Sequence, residues 1–215
     1  MLLAEALALL AVDPGSGRHA IGRRGELNAC LAGLLLAELV LEGVVQRGAR
    51  DDQVVVTGGP PTSATLVGAT TVVADSGPKV KAILSHMDRG LAHHLGLGTW
   101  DAVVAGLVGT GVLSAASGGA RPRHALLAPD ERHAIVARLR AAADGGDDLD
   151  LRTAAVLSMT GPANLLEVVA PTRATRRHAR NRIDHALDGT DLEATGKIVR
   201  RLIADAAAAA VVTPG

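Results

Sequence analysis

The chain has 215 residues, enough for one substantial domain or two small ones around a buried core. Its 22 basic and 22 acidic side chains leave no net charge, so no global field attracts nucleic acid or an anionic membrane, and any such surface must be local. Phe and Tyr are absent and Trp occurs once, which argues against the aromatic stacking used to bind single-stranded nucleic acid. The single Cys30 excludes an internal disulfide and a cysteine-rich metal site, and is typical of a reducing cytoplasm.

The amino-terminal segment, MLLAEALALLAVDPGSG, resembles a signal peptide only superficially. It has no basic n-region, Glu5 interrupts the apolar run, and the segment continues into a Pro-Gly turn rather than a cleavage site. We therefore expect a short amphipathic helix that ends before Asp13.

Residues 25–45, GELNACLAGLLLAELVLEGVV, form the most apolar segment and raise the question of a membrane span. Glu38 and Glu42 lie four residues apart, on one helical stripe, and acidic side chains near the centre of a span are costly. A helix that is apolar on nearly all sides in a soluble chain is normally a buried central helix. The segment therefore predicts the core helix, with its acidic stripe at the edge of the core and Gly43 as its stop.

The rest of the chain predicts short elements in one order. We expect an extended pair over 43–59, an irregular connector over 60–75, a helix capped by Ser76, and a helix from Thr99 to Gly109 or Gly111. A β-hairpin follows, with arms at 112–113 and 124–127 and the tip SGGARPR, and then helices begin near 129, 149, 172 and 191. The predicted fold class is mainly α: a single helical domain, residues 1–215, around a buried central helix, with a projecting β-hairpin.

Catalytic and metal-binding motifs are absent: the chain has no P-loop, HExxH, GxSxG, CxxC or EF-hand pattern. His86, His93 and His94 could suggest a metal site, but adjacent histidines point away from one face and no acidic ligand sits at a fixed offset. We expect surface histidines, no metal, no cofactor, no catalytic residues and no enzymatic activity.

Two basic clusters remain as candidate sites. The first contains Arg18, His19, Arg23 and Arg24; the second contains Arg173, Arg176, Arg177, Arg180 and Arg182. Four arginines of the second cluster follow helical i, i+3, i+4, i+7 spacing and are predicted to share one face. This face is either a solvated helix surface or a surface for anions or lipid headgroups. Neither cluster has interleaved aromatic residues, which argues against a nucleic-acid partner.

In its order of elements the chain resembles the Golgi phosphoprotein 3 family. The resemblance rests on LLAEALALLAVD, CLAGLLLAELVLEGVV, LVGTGVL leading into the hairpin, DLRTAAVLSMTGPANLLEVV, RRHARNRID and GKIVRRLIADAAAAAV. It implies a mainly α-helical peripheral membrane protein with a projecting hairpin. Eukaryotic members recognise phosphatidylinositol 4-phosphate and link glycosyltransferase tails to retrograde transport. The abundance of Arg over Lys is typical of a GC-rich bacterial genome, and we expect a bacterial, actinobacterial member of the family.

The resemblance also implies where a headgroup pocket would lie. The family's pocket positions fall near Arg23, Ala32, Leu97 and Trp100, and none of these keeps the family's residue type. A rebuilt contact is the resulting hypothesis, in which Arg18, Arg23, Arg24 and Trp100 hold an anionic headgroup. In the alternative, Trp100 fills a gap in a core that has no other large ring.

Two functions follow from this resemblance. The first is a non-enzymatic peripheral membrane or adaptor protein that binds phosphatidylinositol 4-phosphate or another anionic phospholipid headgroup, in the cytoplasm and on the inner face of the membrane. The alternative is a soluble helical protein-interaction module that kept the fold and lost the lipid site. Homo-oligomerisation through the hairpin and binding of protein partners stay open in both.

Overall fold

The computed structural model describes residues 1–18, 24–50, 52–117, 122–145, 149–193, 195–197 and 199, without the side chain of Arg24. The predicted class, mainly α with a two-stranded hairpin, is confirmed. The elements are α1 Leu3–Ala11, α2 Arg24–Leu41, β1 Val45–Arg47, β2 Val54–Val56, α3 Ala64–Asp75, α4 Val80–Leu95, α5 Thr99–Gly109, α6 Pro129–Asp144, α7 Leu151–Thr160, α8 Leu166–Val169 and α9 Arg173–Leu187. The predicted closing helix is described only at 191–193, 195–197 and 199.

Helix α2 is the centre of the fold, as predicted. Leu31, Leu34, Leu35 and Leu39 are fully buried, and the helix packs against α1, α3, α4, α5 and α7. It ends before Gly43, whose φ of +70° is the left-handed conformation that glycine adopts without strain. In the described part of the chain, no helix is long and apolar enough to cross a membrane. The apolar segment is therefore the core.

The acidic stripe of α2 differs from the prediction, because only Glu42 lies at the surface. The Glu38 side chain is 2% exposed. Its Oε2 accepts a hydrogen bond from the backbone N of Leu3 (2.6 Å), and its Oε1 pairs with Nη1 of Arg152 (2.6 Å). A buried carboxylate persists when partners satisfy its charge, and here they come from α1 and α7. Glu38 thus ties three helices together.

A second buried carboxylate lies beside the first. Glu5, on α1, is buried, and its Oε2 accepts a hydrogen bond from the backbone N of Leu2 (2.8 Å). Burial raises the pKa of Glu5, and the nearby charge of Glu38 acts in the same direction. Gly106 of α5 leaves room for this side chain, since a Cβ there would collide with its Oε1.

The extended pair predicted over 43–59 is confirmed as the antiparallel hairpin β1–β2, in which Val45 lies opposite Val56. The predicted 112–127 hairpin also pairs antiparallel, but only through isolated bridges, Leu113 with Leu126 and Ser117 with Arg123. Residues 118–121 of its tip lie outside the described residues.

The prediction of an irregular connector over 60–75 is wrong, because α3 occupies most of this segment. Ser76 follows the end of α3, and α4 begins at Val80 after Lys79, so Ser76 does not cap α4. The β-branched Thr and Val residues of α3 have a modest helix propensity, so local preference did not indicate a helix there. Packing against α4 stabilises it instead: Gly90 of α4 is so close to α3 that a Cβ would lie 2.5 Å from Cγ2 of Val72.

The only cysteine of the chain is predicted to be chemically inert in the folded protein. Cys30 is fully buried in α2, and burial, with the charge of Glu26 adding to it, raises its pKa to about 12. Because the thiolate is the reactive form, we expect no reaction with a disulfide reagent such as DTNB at neutral pH, and full reaction after unfolding in guanidinium. Rapid reaction of the native protein would contradict this packing of α2.

Candidate functional site

The loop that carries Arg18 is well ordered by backbone hydrogen bonds. The N of Asp13 donates to the carbonyl of Arg18 (2.7 Å), and the N of His124 donates to the carbonyl of Gly17 (2.8 Å). A Cβ on Gly17 would lie 2.8 Å from the carbonyl oxygen of His124, so the loop packs tightly on the 112–127 hairpin. Arg18 is exposed at this point.

The other members of the first predicted site are placed differently. Arg23 lies outside the described residues, and Arg24 is the first residue of α2, with its side chain outside the description. Trp100, in the first turn of α5, is 3% exposed and belongs to the core. This burial favours the alternative in which Trp100 fills space between helices. The described part of the chain therefore does not bring Arg18, Arg23, Arg24 and Trp100 together at one site.

An acidic side chain holds the junction where α2, α4 and α5 meet. Oδ1 of Asp88, on α4, accepts a hydrogen bond from Nδ2 of Asn28 (3.0 Å) and from the backbone N of Thr99 (2.8 Å). Amides at a helix start favour negative charge, and Asp88 supplies it at the start of α5. A phosphate at the same place would be repelled by this carboxylate. No local sequence pattern indicates this junction, since Asn28 lies 60 residues from Asp88.

The second predicted cluster lies on α9, which begins with a well-formed cap. Oγ1 of Thr172 accepts a hydrogen bond from the N of Thr175 (3.1 Å), and Ala179, Ile183 and Leu187 bury the inner face. Since apolar residues recur at this spacing, the positions on the opposite side of the helix face outward.

The arginines of α9 divide into two groups. Nη1 of Arg176 bonds Oε1 of Glu167 (3.1 Å) and the carbonyl of Pro171 (3.1 Å), and Nη1 of Arg182 bonds the carbonyl of Ala142 (2.6 Å). Arg176, one of the four arginines predicted to share a face, is therefore half-buried and engaged with α8. The outward stripe, at spacing i, i+4, i+7, consists of Arg173, Arg177 and Arg180. We call these three residues the α9 stripe.

Positive charge is concentrated on α9. Helix α9 has five Arg and one Asp, so its formal charge is 5 − 1 = +4 with histidines neutral. The whole chain has 22 − 22 = 0, and the remainder is therefore −4. A local basic surface of the kind anticipated from composition is present on this helix.

A groove of about 630 Å³ opens beside the stripe, between α7, α8 and α9. Its apolar lining comes from Leu157, Pro162, Leu166 and Ile183. Its polar and charged lining includes Asn164, Glu167, Arg176, Arg180 and Asp184. Arg180 thus belongs both to the α9 stripe and to the groove.

Comparison with protein families gives one match: the profile of Golgi phosphoprotein 3 (GPP34) aligns with residues 3–206, nearly the whole chain. The chain belongs to this family. No individual curated protein was found to match it.

The positions that correspond to the Golgi phosphoprotein 3 headgroup pocket lie in and around α2 and α5 of this chain. Of the residues near those positions, Ala32 and Trp100 are buried, Leu97 is partly exposed, and Arg23 is outside the described residues. None of the described three carries a positive charge, and Asp88 holds the adjacent junction. In this Golgi phosphoprotein 3 homologue, exposed arginines line other described grooves: Arg180 lines the groove beside α9, Arg47 lines one beside the β1–β2 hairpin, and Arg138 and Arg152 line one beside α1 and α6.

The described histidines and carboxylates of this family member bear on the metal site considered from the sequence. No group of three His, Cys, Asp or Glu side chains there could hold a metal ion. Nε2 of His94 pairs with Oδ2 of Asp75 (3.2 Å). The described partners of Glu38 are the backbone N–H of Leu3 and the guanidinium of Arg152.

Proposed function

We propose that this protein is a non-enzymatic peripheral membrane protein that binds anionic phospholipid headgroups, phosphatidylinositol 4-phosphate among them, from the cytoplasmic side. Membership of the Golgi phosphoprotein 3 family supports a membrane-associated role. The observation that carries the proposal is the α9 stripe, three exposed arginines along one line of a helix whose charge is +4 in a neutral chain.

The expected affinity is modest. Each basic residue near an anionic membrane surface contributes about 1 kcal/mol, so three arginines give about 3 kcal/mol, which salt screens. Arg18 provides a second contact in the proposal, on the loop that packs against the 112–127 hairpin, and Arg23 and Arg24 follow it in the sequence as further basic residues. Trp100 enters this second contact only as a support for the helices, because it is buried.

A second candidate function is a helical protein-interaction module that kept the fold and lost the lipid site. The contact of Asp88 with the start of α5 favours it, because this carboxylate places a negative charge beside the family's pocket positions. Leu127, on the 112–127 hairpin, is 58% exposed and offers an apolar contact for a protein partner or for another copy of the chain.

Liposome co-sedimentation of the purified protein separates the two functions. We expect no binding to neutral phosphatidylcholine vesicles, binding to vesicles that contain phosphatidylglycerol, and loss of that binding when salt rises from about 0.05 M to about 0.5 M. Selective binding to vesicles with phosphatidylinositol 4-phosphate would show a specific pocket. Absence of binding to every anionic vesicle at low salt would overturn the lipid function and favour the interaction module.

A further inference from the structure

We infer that the groove between α7, α8 and α9 is a binding site for an anionic phospholipid with a hydroxylated headgroup, in which Arg180 holds the phosphate. The inference rests on the proposed function and assigns a place to it. This place is distinct from the α2–α4–α5 junction to which the family resemblance pointed.

The positive wall of the groove is available to an anion. Arg180 has no ion pair or hydrogen bond with the described residues, although it lines the groove. Arg176 uses only Nη1 in its bonds to Glu167 and Pro171, so other N–H donors of its guanidinium are not engaged by described residues. Two guanidinium groups four residues apart on α9 can therefore face one phosphate, which arginine binds in a bidentate manner.

Groups that accept hydrogen bonds lie next to this positive wall. Asp184 follows Arg180 by one helical turn, and Glu167 and Asn164 lie on the facing segments. Glu167 pairs with Arg176, and the two arginines and two carboxylates of the lining give a formal charge of 2 − 2 = 0, so the groove does not favour a naked polyanion. A single phosphate bearing hydroxyl groups fits better, because carboxylates accept hydrogen bonds from hydroxyls.

The apolar lining contributes less than the charged lining. Leu157, Leu166 and Ile183 are only 1%, 8% and 5% exposed, so the glycerol carbons and first acyl carbons of a lipid would cover a small apolar area, to which the half-buried Pro162 adds. The α9 stripe extends from Arg180 through Arg177 to Arg173 on the outer side. A membrane surface that contacts the stripe therefore lies beside the opening of the groove.

Gly161 permits a direct test without a change of charge. It lines the groove, has a φ of −65°, and has nothing within 4 Å of the position of an added Cβ. In Gly161→Leu the new side chain enters the open space at this edge of the groove. Gly161→Ala is the matched control, because both variants place a Cβ-bearing residue before Pro162 and share any backbone cost of that position.

The test is isothermal titration calorimetry with monomeric dihexanoyl-phosphatidylglycerol. We expect saturable binding to the wild type, and binding about tenfold weaker in Gly161→Leu and in Arg180→Ala. Gly161→Ala should bind as the wild type does, and so should Arg89→Ala, which removes an exposed arginine of α4. Dihexanoyl-phosphatidylmethanol has the same charge without headgroup hydroxyls, and should bind more weakly, as should inorganic phosphate.

Several outcomes would overturn the inference. If phosphatidylmethanol binds as tightly as phosphatidylglycerol, the site does not recognise headgroup hydroxyls. If inorganic phosphate binds as tightly as the lipid, the groove is an anion site and not a lipid site. The wild type could sediment with anionic vesicles while Gly161→Leu and Arg180→Ala bind monomeric lipid as tightly as their controls, or while no monomeric lipid binds at all. In either case the groove is not the binding site, although the proposed function stands. Binding of monomeric lipid in the groove without vesicle binding would reject the membrane function and keep the site.

Discussion

Replacement of Arg152 by alanine should lower the free energy of unfolding by about 2–3 kcal/mol, since it removes one partner of a buried charge. The Glu38 carboxylate is 2% exposed and would keep only the N–H of Leu3 as its described hydrogen-bond donor. The expected loss of stability lies at or below the lower end of the range for breaking a buried ion pair. The Arg152 side chain is 48% exposed, so water can replace part of its interaction with Glu38. Chemical denaturation followed by circular dichroism measures the change.

Two further variants identify the cause of this loss. Arg89→Ala removes an exposed arginine that has no bond to the described residues, and should leave stability within about 0.5 kcal/mol of the wild type. In Glu38→Gln/Arg152→Ala the buried charge at position 38 is removed together with its partner, so part of the loss should be recovered. A double variant less stable than Arg152→Ala by the full cost of Glu38→Gln alone would contradict the role of the buried charge.

Replacement of Gly90 by alanine should destabilise the protein by about 2 kcal/mol, although alanine is the better helix former. The gain in helix propensity is about 0.5–1 kcal/mol, but the added Cβ would lie 2.5 Å from Cγ2 and 2.9 Å from Cγ1 of Val72. The valine side chain is buried and restricted at χ1, so α3 and α4 must move apart. Overpacking of this kind costs about 1–3 kcal/mol.

The matched control is Gly109→Ala, at the end of α5, where nothing lies within 4 Å of the added Cβ. This variant should be as stable as the wild type or slightly more stable. Val72→Ala combined with Gly90→Ala should be more stable than the sum of the two single changes, since the smaller side chain makes room for the new methyl group. Additive losses would mean that α3 and α4 are not in the close contact described.

The sequence predicted the elements whose signals are local. Helix α2 is predicted from its uninterrupted apolar composition and Gly43, α7 from its apolar composition, and α9 from the helical spacing of its arginines. Helix α3 was missed because its Thr and Val residues have no clear period, and its stability comes from α4. The 112–127 hairpin was predicted in the right place, but as longer strands than its bridges form.

The candidate site was less predictable. The arginines of α9 were found from their spacing, yet the pairing of Arg176 with Glu167 depends on how α8 packs, which spacing does not reveal. The groove is lined by α7, α8 and α9, and no single segment indicates it. The burial of Glu38 and Trp100 likewise follows from the surrounding helices. From the sequence, Glu38 is expected at the edge of the core, and Trp100 is expected either in a headgroup contact or in the core.

Charge reversal on the α9 stripe tests the central claim most directly. Arg173→Glu/Arg177→Glu changes two exposed positions outside the groove, and Lys79→Glu/Lys81→Glu makes the same change of charge at exposed positions at the start of α4. Co-sedimentation with phosphatidylglycerol vesicles at low salt should be abolished by the first pair and weakened only slightly by the second, because a reversed charge acts within about a Debye length. Equal losses in the two variants would show that net charge, rather than the surface of α9, determines membrane binding.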